Sequence, residues 1–386
     1  MYRIRIDKGR LNVLTSTYLT KYKAELRKEI QGFLNGGNGF VFKHTTSEKP
    51  PRTFVLKVDK TKKSFTTRFL EECADLKNSL LDDLLIGDVA AQLRIIQRVK
   101  SDSQEHFNKL TGGKANRLHY NDGDEIDDFN AIMHEIFVKR SFEGDKTALY
   151  AKPLDKDEFV KNLEIRICPY CGRAYIYRVV KKGKDGDVSV KPQLDHFLPK
   201  SDYPFLAMNF FNLIPCCMQC NLAPCKVNND PLDNNKQQVT YLMHPYDFDE
   251  TMVRFIYQMN APDTYKPESF DVLVGYQSKD HKTGYNGFLA LDKLYAGHTV
   301  EVCNMFWRRR ALQAAANGFY KGIGIHVPAA IMAQGILGFN LNGIEERRQL
   351  MYKFKKDTFL QMMGSHSKAT TNYYADWKGK EKKVKI

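Results

Sequence analysis

Cys168-Pro169-Tyr170-Cys171-Gly172 and, further along, Cys217-Met218-Gln219-Cys220 are two C-x-x-C pairs in a chain of 386 residues. Two thiolates two residues apart can grip one ion from a tight turn, and Gly172 lets the backbone curl beneath the first pair. Together the pairs supply four sulfur ligands, the set a tetrahedral structural zinc takes. The eight cysteines are Cys73, Cys168, Cys171, Cys216, Cys217, Cys220, Cys225 and Cys303, and six of them fall between positions 168 and 225. Scattered core thiols would not cluster in that way, and clustered thiols in a reducing compartment point to metal rather than to disulfides. Cys216 and Cys225 compete for ligand positions. The spacing from Cys216 to Cys220 does not suit a knuckle, so Cys217 is preferred.

Between the two pairs runs Pro192-Gln193-Leu194-Asp195-His196-Phe197-Leu198-Pro199-Lys200-Ser201. The stretches 174–180 and 188–194 are strand-like, joined by a turn over 181–187, so Asp195 and His196 are predicted at the end of a strand. Adjacent strand residues point to opposite faces, so this carboxylate and imidazole can serve different partners. Phe211-Asn212-Leu213-Ile214-Pro215-Cys216-Cys217 comes next, and then Cys220-Asn221.

The whole run, from Cys168 to about Lys226, resembles the HNH nucleases, also called His-Me finger or ββα-metal nucleases. Among them it is most similar to the zinc-knuckled PtuB-like domains of bacterial anti-phage operons of the Septu and retron type. A fainter similarity to the segment downstream of the core in those proteins extends over His244-Pro245-Tyr246-Asp247 and 289–302. The resemblance implies that His196 is the general base and that Asp195 and Asn221 are oxygen ligands of a catalytic Mg²⁺ or Mn²⁺. It implies that Asn212 holds the loop positioning the histidine, and that Zn²⁺ on Cys168, Cys171, Cys217 and Cys220 is structural. Hard oxygen donors suit magnesium or manganese and thiolates suit zinc, so two distinct metal sites are expected. Members of this family often carry Lys three residues after the final Asn. Here that position is Pro224, and Lys226 comes later. Lys200 and Lys226 are read either as phosphate contacts or as solvated surface charge.

The surrounding chain fits this reading. Lys plus Arg number 59 against 45 Asp plus Glu, a net +14, which favours a polyanionic partner. Hydrophobic residues at 42% and charged residues at 27% describe a globular chain, not a disordered one. The most apolar stretch, 327–339, contains Pro328 and Gln334 and falls short of a bilayer span, so no membrane partner is expected. The opening MYRIRIDKGR has no apolar signal core, and a cytoplasmic location is expected. Neither Asn35-Gly36-Gly37-Asn38-Gly39 nor Thr111-Gly112-Gly113-Lys114 forms a phosphate-binding loop; both read as turns. With no ATP site of its own, the chain is compatible with the ATPase subunit beside which PtuB-like proteins act.

The fold class expected is α+β: a ββα-metal core stapled by a four-cysteine zinc site and embedded between mostly helical flanks. The organisation reads as a mainly helical region 1–160, a core 161–232, an α+β region 233–377 for substrate or partner binding, and a basic tail 378–386 that is solvated and disordered. Tyr2, Ile4 and Ile6 suggest a strand. Leu19, Tyr22, Leu26 and Ile30 suggest a helix ending at Gly32. Phe69, Cys73, Leu76, Leu80 and Leu84 form one helical stripe, and Ile126, Phe129, Met133, Ile136 and Phe137 another. Strands are expected over 252–258 and 270–276, and helices over 289–295, 300–316 and 344–362. In Trp307-Arg308-Arg309-Arg310, Arg308 and Arg309 are candidate nucleic-acid contacts. DNA is preferred to RNA because no RNP-type aromatic motif is present. The alternatives are an RNA (tRNA) nuclease with the same site and a non-catalytic, zinc-stapled nucleic-acid-binding module.

Overall fold

The computed structural model describes residues 3–36, 42–45, 53–56, 64–102, 125–126, 128–144, 148, 150–177, 179–181, 188–190, 192–222, 225–226, 229–261, 266–324, 328–339, 349–364, 372–377 and 380–385. Helix α1, Lys8–Asn35, opens on Asp7, whose carboxylate accepts the Gly9 and Arg10 amides. It runs through Gly32, where an end was expected, and stops at Gly36, which takes the left-handed conformation at φ 61°. Burial of Ile30, Phe33 and Leu34 on one face carries the helix past the weak residue. The stripe from Phe69 to Leu84 is two helices rather than one. Helix α2, Phe65–Ala74, and α3, Leu80–Ile86, flank Leu76, which is 77% exposed. Asn78 breaks the run by accepting the Leu80 amide on its side chain. Residues 3–7 form no strand. Instead Ile4 is buried and donates its amide to Pro245 O at 2.8 Å.

Helix α4, Val89–Asp102, is followed by strand β3, Glu125–Ile126, which pairs parallel with β2, Thr53–Leu56; β2 pairs antiparallel with β1, Phe42–Thr45. Helix α5, Phe129–Met133, starts on Asp128 and widens into a π-helix, His134–Glu143. The stripe residues Phe129, Met133, Ile136 and Phe137 are all buried on it. After α6, Lys156–Leu163, come two hairpins. Strands β4, Val179–Lys181, and β5, Val188–Val190, pair in the first, with residues 182–187 of the expected turn outside the described residues. Strands β6, Gln193–His196, and β7, Leu213–Cys216, pair in the second, and helix α7, Met218–Asn221, comes directly after. The strand expected from 174 begins only at Val179; before it Tyr175 bridges to Ile167.

In the last third, β8, Val253–Met259, and β9, Phe270–Tyr276, form the expected antiparallel pair. Helix α8, Lys279–Leu289, had no sequence expectation; α9, Leu291–Ala296, α10, Thr299–Ala315, α11, Ala329–Leu337, and α12, Tyr352–Met362, come after it. The expected helix start at 344, Gly37 to Gly39, the glycines near 112, and Pro224 lie outside the described residues. The basic tail is not disordered. Residues Lys380–Lys385 form strand β11 beside β10, Asn372–Trp377, and close a four-stranded sheet in the order β11-β10-β9-β8. Backbone pairing supplies the order that the tail's composition does not suggest.

The fold is thus mixed: helices with small sheets. One apolar core extends from Ile4 through Leu213 to Phe354, so the three regions read from sequence share it. A smaller cluster gathers Met305, Ile336, Phe339 and Phe359. Among the described residues no helix is long and apolar enough to cross a membrane.

Two glycines of α8 give a paired test. A Cβ on Gly284 would fall 1.8 Å from the Tyr241 carbonyl oxygen, whereas one on Gly287 would meet nothing within 4 Å. Gly284→Ala is expected to destabilise by about 1–3 kcal/mol or more. Gly287→Ala is expected to stabilise by up to about 1 kcal/mol through helix propensity. Urea titrations giving both variants the same midpoint would contradict this packing.

Candidate functional site

The sulfurs of Cys168, Cys171, Cys217 and Cys220 all lie within 4.8 Å of one another, and all four residues are buried. A tetrahedral zinc with four bonds of about 2.3 Å needs sulfur–sulfur edges of about 3.8 Å; the Cys171 and Cys217 sulfurs are 3.9 Å apart. The group can therefore hold one metal ion such as zinc. Each pair is shaped by its own turn. Gly172 sits at φ 68° and returns its amide to Cys168 O, and the Cys220 amide bonds Cys217 O. The Arg173 amide also points at the Cys171 sulfur, at 3.4 Å. Hydrogen bonds from neighbouring thiols lower the pKa of Cys171 and Cys217, while burial raises that of Cys168 and its thiol neighbours raise that of Cys220. Four negative sulfurs this close need a cation among them. Cys216 and Cys225 stand outside the group. Cys216 faces Gln193 across the hairpin, and the Cys225 thiol donates to Leu289 O.

The first knuckle is held from the far end of the chain. Tyr295 donates its hydroxyl to Cys171 O at 2.6 Å, and the Met351 amide bonds Gly172 O at 2.7 Å. Nothing in the spacing of the cysteines signals either contact.

Beside the cluster, Asp195 and His196 turn to different partners, as neighbours on a strand do. Asp195 is 3% exposed. Its Oδ2 accepts the Tyr170 hydroxyl at 2.5 Å, and the Lys226 ammonium stands 3.3 Å from Oδ1 and 3.2 Å from Oδ2. Burial raises the Asp195 pKa, with Lys226 and Tyr170 acting in the opposite sense. Lys226 is neither a surface charge nor a phosphate contact. It is fully buried and also donates to the His196 carbonyl at 2.8 Å.

His196 points away from that pair. Its Nε2–H donates to Ala207 O at 3.0 Å, which fixes the tautomer and leaves Nδ1 as the basic nitrogen. The ring packs edge-on against Phe142 at 4.4 Å. Burial, helped by the nearby Lys200, pushes its pKa down to about 3, so the imidazole is neutral near pH 7. Lys156 and Lys200 stand 4.1 and 5.3 Å from the same Phe142 ring, giving the histidine a basic rim. Lys200 is paired with Glu143 at 2.5 Å.

Asn212 bridges the loop after His196. Its Oδ1 accepts the Leu198 amide, and its Nδ2 donates to Leu198 O and Leu206 O, clamping both ends of the loop after His196. Asn209 ties that clamp to the N-terminal helices: it accepts from Gln92 and from the Asn212 amide and donates to Asp83 O and Gly87 O. Asn221 is half-buried at the end of α7 and reaches Gln193 Oε1 at 3.5 Å. Among the described residues, Arg308 and Arg309 bond Ile336 O and Met362 O on the C-terminal helices rather than any residue of this site. Sequence reasoning missed Tyr170, Ala207, Phe142, Lys156 and Asn209, of which only Tyr170, inside the first C-x-x-C, carried a local signal.

No family model matches this chain, and neither a curated protein nor a solved structure matches it.

The geometry makes two outcomes measurable. Elemental analysis of freshly purified protein should find one zinc per chain, and Cys171→Ser should lose it together with the cooperative unfolding transition, because metal-binding energy here is folding energy. Cys73→Ser, far from the cluster, should keep its zinc; zinc-free parent protein would overturn the assignment. The second outcome is a pH slope. His196 and His244 are buried with pKa values pushed down by burial to about 3 and about 4, below the ordinary 6.5. The unfolded chain therefore binds more protons, and stability present above pH 6.5 should fall as pH drops towards 4, by on the order of several kcal/mol. His244→Gln should flatten part of that slope; an unchanged slope would mean that His244 does not take up its proton on unfolding.

Proposed function

We propose that the chain is an HNH-type endonuclease that hydrolyses phosphodiester bonds, with DNA as substrate and bacterial anti-phage defence as its setting. The observation that supports this best is the state of His196. It is a neutral, oriented imidazole with an unprotonated Nδ1, set on a β-β-α unit whose loop is clamped by Asn212 and whose end is tied to the four-cysteine group. Nδ1 takes a proton from water, which attacks phosphorus as the P–O3′ bond breaks, and the departing O3′ takes its proton from solvent. The products expected from the resemblance are a 5′-phosphate and a 3′-hydroxyl. The Nε2–H bond to Ala207 holds the ring in place throughout. Lys200 and Lys156 on the rim of Phe142 suit contacts to the phosphate chain, where charge on the attacked group is screened. Arg308 and Arg309, with the net charge of +14, suit a more distant length of the polyanion. An ATPase subunit as partner belongs to the same proposal and rests on the resemblance alone.

The resemblance also assigns a catalytic Mg²⁺ or Mn²⁺ to Asp195 and Asn221. The donors here do not fit it: both oxygens of Asp195 are engaged, by Tyr170 and Lys226, and the carboxylate is buried. No step is therefore routed through that ion. The same engagement favours a second reading, a nucleic-acid-binding module stapled by zinc.

Plasmid DNA and total RNA, each incubated with the chain in Mg²⁺, in Mn²⁺ and in EDTA, separate these readings. Cleavage of DNA is expected. His196→Ala should cleave about 10²–10⁴-fold more slowly, with zinc content and DNA binding kept, and His134→Ala should cleave like the parent. If His196→Ala cuts as fast as the parent, the base is misassigned; a parent that binds DNA but cuts neither polymer makes the binding module the better reading.

A further inference from the structure

Lys226 is 0% exposed, and its ammonium sits against a carboxylate that is itself 3% exposed. Its Nζ stands 2.8 Å from the His196 carbonyl oxygen, 3.2–3.3 Å from the Asp195 carboxylate oxygens and 5.9 Å from the centroid of the Phe197 ring. Asp195 Oδ2 also accepts the Tyr170 hydroxyl. The lysine is not free to withdraw. Its amide bonds Cys220 O and its carbonyl accepts the Asn229 amide, so its backbone rides on the second knuckle. A hard divalent ion demands open oxygen lone pairs and several retained waters. Asp195 offers neither. An ion placed on it would stand within a few ångströms of a fixed ammonium in a medium of low dielectric, where like charges repel strongly.

We propose that Lys226 is the resident cation of Asp195, which holds that carboxylate and the His196 carbonyl in place and keeps divalent ions off Asp195 while the chain is folded. It is a positioning residue, acting on His196 through the main-chain carbonyl that it holds. The inference takes from the proposed function only that Asp195 and His196 belong to one site; it does not need the chain to cleave anything.

Mn²⁺ binding to the zinc-loaded chain tests it, read by calorimetry and by electron paramagnetic resonance of free Mn²⁺. In the parent background, Asp195→Asn should leave Mn²⁺ affinity within about twofold. Lys226→Gln should raise the affinity tenfold or more, and the double variant Asp195→Asn, Lys226→Gln should lose that gain. A tenfold loss on Asp195→Asn alone overturns the proposal, as does a folded, zinc-retaining Lys226→Gln with parental affinity. A lysine that only supports the fold would not change Mn²⁺ affinity in this pattern. Where either variant fails to fold, crystals of the parent soaked in Mn²⁺ decide. No anomalous peak at Asp195 is expected, and a peak coordinated by its oxygens overturns the inference. Failure of the nuclease reading shows separately, as a parent chain that cuts neither polymer whatever its Mn²⁺ affinity.

Discussion

Four sulfurs held within 4.8 Å of one another set the terms for everything around them. The two turns that carry them are distant in sequence, and close approach of ionised thiolates is repulsive until a dication joins them. The cluster brings the Cys168–Cys171 turn, the end of β7 and helix α7 to a common point. Every other feature of the site is measured from there. Tyr170 lies between the first two ligands and reaches Asp195; Lys226 leaves the second knuckle and reaches the same carboxylate from the other side. Two side chains therefore link strand β6 to the turns that carry the four sulfurs.

That arrangement divides strand β6 into two electrical environments. On one face a carboxylate, a phenol and an ammonium satisfy one another in a closed group, and breaking such a buried pair by removing one partner is costly. On the other face a lone imidazole is kept uncharged by burial and aimed by a single carbonyl. Adjacent residues of one strand thus sit in opposite settings, one a carboxylate held between two donors and one a ring held through Nε2 alone.

Much of this was legible in the sequence, and the illegible part has a common cause. The choice of Cys217 over Cys216 came from spacing, because a turn imposes its own geometry on two residues three apart. Asn212 was legible for its type, since an amide can bridge a loop to itself. The opposite facing of Asp195 and His196 came from strand alternation alone. Lys226 was misread because a lysine carries no local mark of burial; only its tertiary partners, contributed by residues 195 to 197, take it out of water. The hold of Tyr295 and Met351 on the first knuckle was invisible for the same reason, as was the run of α1 through Gly32. Asn78 interrupted a periodic stripe by a side-chain hydrogen bond that hydrophobic pattern does not register.

The π-helix His134–Glu143 has a consequence for how the gene can vary in length. A π-turn carries one residue more than an α-turn for the same advance, and Ser141 anchors this one by bonding Ile136 O at 2.7 Å. Deleting a single codon between 136 and 141 would let the segment rewind as an ordinary α-helix. Because the π-turn spends its extra residue on the same advance, Phe142 beyond it would keep nearly the same face towards His196. The same deletion in a regular α-helix such as α1 would swing every later residue by about 100° around the axis. This segment is therefore the place in the N-terminal helices where the chain can lose one residue at the least cost to its packing.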